Sequence, residues 1–156
     1  MPGGMARKPV TIGPDHHRKL AVDLFNGTWT LIEKKRTREE DLAMIHMAHA
    51  SRHHWAQVGT ATHLAVGEWQ VSHVYALLRR AEPALYHARA ALRVCKDGGV
   101  GGFPLAYAYE ALARASAVAG HRKDRDGYVR LGTRAAKAIR EAEDRAQFLR
   151  DLASVP

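Results

Sequence analysis

Polar and aromatic residues interrupt the apolar pattern of two neighbouring predicted helices. The first group lies between Ala48 and Trp55 and contains His49, Ser51, Arg52, His53 and His54; the second, Glu68 with Trp69 and Gln70, begins thirteen residues after Trp55. Imidazole and carboxylate groups can transfer protons or bind a metal ion, and a guanidinium binds anions. We therefore expect function to lie in these two segments.

Helical periodicity places these side chains on shared faces. His46, His49 and His53 share one stripe of the second predicted helix. In the third, Glu68 lies in a row of core-facing residues: Leu64, Val71, Tyr75 and Leu78. Burying an unpaired charge is costly or shifts its pKa until the group is neutral. We therefore predict that Glu68 pairs with Arg52, His49 or His53 across the helix contact.

Three interpretations of this cluster stay open. In the first, His49, Arg52 and Glu68 fix the register of the two helices. In the second, the cluster is a pocket for an acidic peptide or an anionic small molecule, and its binding residues are His49, Arg52, His53, Glu68, Trp69 and Tyr75. In the third, a metal-dependent enzyme uses ligands drawn from His46, His49, His53 and Glu68.

No motif specifies a reaction or a cofactor. Ser51, His53 and Glu68 include the residue types of a Ser-His-acid triad, but only geometry establishes a triad. The glycine run 98–102 follows no strand and lacks the Lys-Ser/Thr ending of a phosphate-binding loop, so we interpret it as a linker. A non-catalytic interaction or ligand-binding module without a cofactor is therefore the favoured function, and the metal-dependent enzyme is its alternative.

Other candidate residues lie outside the two segments. His63 and His87 look isolated, whereas His73 lies beside the row of Glu68 and is able to join the cluster. Glu110 and Arg114 form an i,i+4 pair that we expect to be solvated or half-buried. In a helical-repeat array, the first helix of each pair lines the concave surface, which would place Tyr107, Glu110 and Arg114 in a groove.

Capping residues, the positions of Gly and Pro, and hydrophobic periodicity predict seven helices and no strand. The predicted helices run from Asp15 to about Arg36, from the Thr37 and Glu40 capping box to Gly59, from Thr60 or Thr62 to about Arg80, from the turn containing Pro83 to Gly98, from Pro104 to Gly120, from about Asp126 to Glu141, and from Arg145 to Ala153. Short connections require them to pack as antiparallel pairs. We expect one domain over residues 15–156 after a flexible tail of residues 1–14.

Composition limits the partners and the compartment. The 156 residues carry 24 Lys and Arg against 16 Asp and Glu, a formal net charge of +8, which favours acidic partners. Nucleic acid is an unlikely partner because no recognition motif accompanies the charge. The single cysteine predicts a reducing cytoplasm, and no apolar run reaches the roughly 18 to 20 residues of a membrane span.

A weak internal repeat carries a resemblance to known proteins. The segment 89–92 (Arg-Ala-Ala-Leu) matches 134–137 (Arg-Ala-Ala-Lys) at an offset of 45 residues. The chain thus resembles a tetratricopeptide-like array of helix pairs, a right-handed solenoid with a closing terminal helix. Segments 48–55, 67–70 and 80–85 are similar to a family of small uncharacterised bacterial proteins with this fold. The resemblance implies a fold and no activity.

Overall fold

The computed structural model describes residues 8–156, so residues 1–7 of the expected flexible tail lie outside the described part. Within residues 8–156 there are seven α-helices and no strand, which confirms the all-α prediction. The helices are α1 Pro14–Ile32, α2 Arg38–Val58, α3 Ala61–Leu77, α4 Ala81–Asp97, α5 Gly102–Val118, α6 Arg122–Ala136 and α7 Ala142–Ala153. None of these helices has both the length and the apolarity to cross a membrane.

The helices pack mainly in adjacent pairs. Helix α1 packs on α2, α3 on α4 and α5 on α6, while α3 also contacts α5 and α7 contacts α5 and α6. The two central helices, α3 and α5, each bury nine residues. A helix enclosed by neighbours needs no polar face, which explains why these two are apolar around most of their circumference.

Small residues allow the helices to approach closely. Among residues 8–156, thirteen of the 23 buried apolar residues are alanine, whose small side chain permits close approach of two helices. At Gly67, inside α3, a Cβ atom would lie 2.9 Å from Arg52 Cδ, so the absence of a side chain allows α2 and α3 to approach closely there.

Helices α3, α4 and α5 end in the same hydrogen-bonded turn. One residue after each C-cap adopts a left-handed conformation: Arg79 with φ of 57°, Gly99 with 62° and Gly120 with 76°. The following N–H then donates to the carbonyl five residues before it, as in a Schellman motif, at 2.8 to 2.9 Å. These closed turns hold successive helices side by side.

Several helix ends differ from the prediction. Helix α1 stops at Ile32 rather than near Arg36, because the Arg36 guanidinium donates to the carbonyls of Leu31 and Ile32 at 2.9 and 3.2 Å. Helix α6 begins four residues and ends five residues earlier than expected. Helix α6 begins directly after the tight turn at Gly120. It ends at Ala136, and Ile139, three residues further on, is buried in the core.

Candidate functional site

The predicted pairing of Glu68 is confirmed. Glu68 is 8% exposed, and its Oε1 accepts a hydrogen bond from Arg52 Nε at 2.9 Å. Its Oε2 lies 2.6 Å from His87 Nδ1, which must carry the proton because a carboxylate only accepts. The expectation that His87 is isolated is therefore wrong. The alanines at 84, 88 and 91 form the buried face of α4 beside His87, and this small-residue face is the signal that could have placed His87 against α3.

Local charges balance within this cluster, which we call the Glu68 cluster: Glu68, Arg52, His87, His49 and Tyr75. Burial alone would raise the pKa of Glu68, but the bonds from His87 and Arg52 hold it below its ordinary value. His49 Nε2 lies 3.0 Å from the Tyr75 hydroxyl, and burial followed by the proximity of His87 lowers the His49 pKa. The Arg52 guanidinium is already paired with a carboxylate of the same chain, that of Glu68.

The proposed metal ligands do not converge. His46 and His53 are exposed, so only His49 of their stripe faces the Glu68 cluster. Between residues 8 and 156, no three His, Cys, Asp or Glu side chains are arranged to hold a metal ion. Ser51 is buried and donates to the Ala21 carbonyl at 2.7 Å, so it forms no triad with the exposed His53.

Trp69 lies on a different face from Glu68. Consecutive helical residues are rotated by about 100°, so the two side chains diverge. The Trp69 indole N–H donates to Glu110 Oε2 at 2.8 Å on α5 and takes no part in the Glu68 cluster. His73, one turn further along α3, stacks on Trp69 with ring centroids 5.2 Å apart. The expected site residues thus separate into two regions of the molecule.

Glu110 is the buried centre of the second region. It is 1% exposed, and its Oε1 accepts from Arg114 Nε at 2.6 Å, so the prediction of a solvated or half-buried pair is wrong for the carboxylate. Burial raises the pKa of Glu110, whereas Arg114 and the Trp69 indole act in the opposite direction. Arg114 Nη2 also donates to the Asp151 carbonyl at 3.1 Å. The network therefore joins α3, α5 and α7.

A cleft of about 790 Å³ opens beside this network. We call it the aromatic cleft. Its lining residues come from α1 and its C-cap, α3, α5 and α7: Phe25, Trp29, Glu33, Val66, Trp69, Phe103, Pro104, Tyr107, Gln147 and Asp151. A smaller hollow of about 180 Å³ shares Phe25 and Val66 with it and reaches Trp55 and His63. The volume of the aromatic cleft falls within the range of small-molecule sites.

The rings of the aromatic cleft form a continuous wall. Centroid distances are 5.7 Å from Trp29 to Trp69, 5.3 Å from Trp69 to Tyr107 and 4.6 Å from Tyr107 to Phe103. Sequence reasoning missed Trp29 and Phe103 because each has the spacing of an ordinary core residue. A usable signal existed: α1, α3 and α5 each carry an aromatic pair at i,i+4, namely Phe25 with Trp29, Trp69 with His73, and Phe103 with Tyr107.

Comparison of the chain with family models, with curated proteins and with solved structures gives no match. The likeness to small bacterial proteins therefore stays a prediction.

The Glu68 cluster predicts strong coupling between Arg52 and Glu68. Removal of Glu68 leaves the half-buried Arg52 without a counter-charge, so Glu68→Met should cost about 2 kcal/mol of unfolding free energy. The double variant Arg52→Met/Glu68→Met should recover part of that loss, with a coupling of about 1 to 3 kcal/mol in urea unfolding. The exposed pair of Lys19 and Asp23 is the matched control, and it should couple by less than about 0.5 kcal/mol. Equal coupling in the two pairs would contradict a structural role for the cluster.

His73 predicts a specific loss of stability in mild acid. Burial, with a smaller contribution from Arg114, lowers its pKa from 6.5 to about 4, and within the described residues its Nδ1 has no hydrogen-bond partner. Between these two values the unfolded chain binds the proton and the folded one does not, so stability falls as pH falls. Between pH 7 and pH 5, the free energy of unfolding measured in urea should fall by about 1 to 2 kcal/mol less for His73→Phe than for the wild type. Parallel pH profiles would show that His73 titrates normally.

Proposed function

We propose that this protein is a non-catalytic ligand-binding module and that the aromatic cleft is its binding site. The observation that carries the proposal is the cleft itself, about 790 Å³ walled by four connected aromatic rings. Sites for small molecules are concave and mostly apolar, with a few positioned polar groups. Asp151, Gln147 and Glu33 supply those polar groups here.

The helix arrangement supports a tetratricopeptide-like array. The first helix of each successive pair, α1, α3 and α5, contributes to the cleft, as expected where the first helices line a concave surface. Each of these helices also carries the aromatic i,i+4 pair. Helix α7 contributes Gln147 and Asp151 and closes the array at one end. In this proposal, the three first helices present five of these six ring side chains to one shared cleft, and His73 stacks behind Trp69.

The nucleophilic side chains favour binding over catalysis. Cys95 is 1% exposed, and burial raises the pKa of its thiol, so it stays protonated. Ser51 is committed to a backbone carbonyl, and burial followed by the Asp151 carboxylate raises the Tyr107 pKa far above neutrality. The single cysteine also supports a reducing, cytoplasmic location.

A second candidate is an acidic protein partner on the outer surface. The net charge of +8 favours it, and α6 exposes Arg122, Lys123, Arg130 and Arg134. The Glu68 cluster is less suited to an anion because Arg52 is already paired. We therefore assign that cluster to holding α2, α3 and α4 in register.

A neutral fluorescent probe tests the aromatic cleft. N-phenyl-1-naphthylamine brightens in apolar pockets and should bind with a Kd of about 10 μM, from roughly 0.4 kcal/mol per non-hydrogen atom. Val66→Trp places an indole in the cleft and should weaken binding at least about tenfold. Circular dichroism checks that this variant keeps its helices.

The control adds the same indole elsewhere. Leu131→Trp alters an α6 residue that is 37% exposed and lies outside the cleft lining, so it should bind the probe like the wild type. Absence of binding to the wild type, or equal binding by both variants, would refute the cleft as the binding site.

A further inference from the structure

The charged groups of the aromatic cleft are opposite in sign to the protein as a whole. Of its ten lining residues two are charged, Glu33 and Asp151, and both are acidic. The whole chain carries a net charge of +8. A ligand in the cleft therefore meets a local field that differs from the average surface.

Asp151 is held in place at the cleft wall. Its Oδ2 accepts the Tyr107 hydroxyl at 2.6 Å, and its Oδ1 accepts Gln147 Nε2 at 2.9 Å. Burial and the carboxylate itself raise the Tyr107 pKa, so the phenol stays a donor at neutral pH. The carboxylate needs little reorganisation to receive a cation, and such preorganisation favours binding.

Two basic groups beside the wall, Arg114 and His73, do not offset its acidic residues, and a third, Arg150, donates to Gln147 Oε1 at 2.7 Å from an exposed position where solvent screens its charge. Arg114 Nε donates to the Glu110 carboxylate, and its Nη2 donates to the Asp151 carbonyl and the Ser154 hydroxyl. His73 has a pKa of about 4 because of its burial, so it is uncharged near pH 7. Neither side chain offsets the two carboxylates that line the cleft.

The aromatic wall also attracts cations, in addition to the two carboxylates. The faces of indole and phenol rings carry negative electrostatic potential and attract cations placed within about 6 Å of the ring centroid. Trp29, Trp69 and Tyr107 supply three such rings, with the Trp69 centroid 5.7 Å from that of Trp29 and 5.3 Å from that of Tyr107. Distant surface charges count for less, because the Debye length is about 8 Å at physiological ionic strength.

We propose that the aromatic cleft binds a small organic cation, an amine or quaternary ammonium joined to an apolar body, an inference that rests on the cleft being the binding site proposed above. Asp151 and Glu33 neutralise the cation, and the tryptophans pack against its apolar part. The size of the cleft suits a small molecule. The ligand thus has the opposite sign to the one that net charge alone predicts.

Benzyltrimethylammonium and benzenesulfonate are the probes that test the sign of the charge. The experiments use the Trp55→Phe variant, because the two remaining tryptophans, Trp29 and Trp69, both line the cleft. Benzyltrimethylammonium should change their fluorescence saturably with a Kd of about 0.1 to 1 mM. Benzenesulfonate should bind at least about tenfold more weakly.

Charge variants then locate the effect. Asp151→Asn keeps an acceptor for Tyr107 and removes the charge, and Glu33→Gln changes an exposed residue with little risk to folding. Each should weaken benzyltrimethylammonium about three- to tenfold and weaken the neutral N-phenyl-1-naphthylamine by clearly less. Glu39→Gln, at an exposed position on α2 outside the lining, removes the same unit of charge and should have no effect on either probe.

Failure of this inference is distinguishable from failure of the binding site. Equal binding of the two ions, or no binding of benzyltrimethylammonium while N-phenyl-1-naphthylamine still binds, would overturn the preference for cations and leave the cleft intact. Equal weakening by Asp151→Asn, Glu33→Gln and Glu39→Gln would reduce the effect to net charge and would also overturn it. If the protein bound none of the three probes, the proposal that the aromatic cleft is a binding site would itself be refuted.

Discussion

The buried carboxylate of Glu110 is the constraint on which the rest of this structure depends. A carboxylate that is 1% exposed must be paired, and its partners are the Trp69 indole N–H and the Arg114 guanidinium. Arg114 in turn bonds to the Asp151 carbonyl on α7. The Glu110 carboxylate therefore orients Trp69 in the wall of the aromatic cleft. Through Arg114 it also anchors α7, the helix that carries Asp151.

Helix α3 separates two regions with different roles. On one face, Glu68 joins α3 to Arg52 of α2 and His87 of α4, and its charge is balanced by the protein itself. On another face, Trp69 joins α3 to α5 and forms part of the cleft wall. Because the first region is satisfied internally and the second opens to solvent beside two acidic residues, we propose the second as the ligand site.

Local rules predicted much of the fold and part of the sites. The Thr37 and Glu40 capping box forms as its spacing requires, and the core position of Glu68 correctly required a partner among Arg52, His49 and His53, of which the structure shows Arg52. Periodicity could not show which neighbour each face of a helix meets. It therefore grouped Trp69 with Glu68 and left His87 alone, although tertiary packing separates the first two and brings His87 to the carboxylate.

A crystal structure of the protein with benzyltrimethylammonium would show directly where a cation is bound. We expect the ammonium nitrogen inside the aromatic cleft, within about 6 Å of the Trp29 or Trp69 ring centroid and on the side of Asp151. A cation bound only outside the cleft, with Trp29, Trp69 and Asp151 free of contact, would contradict it.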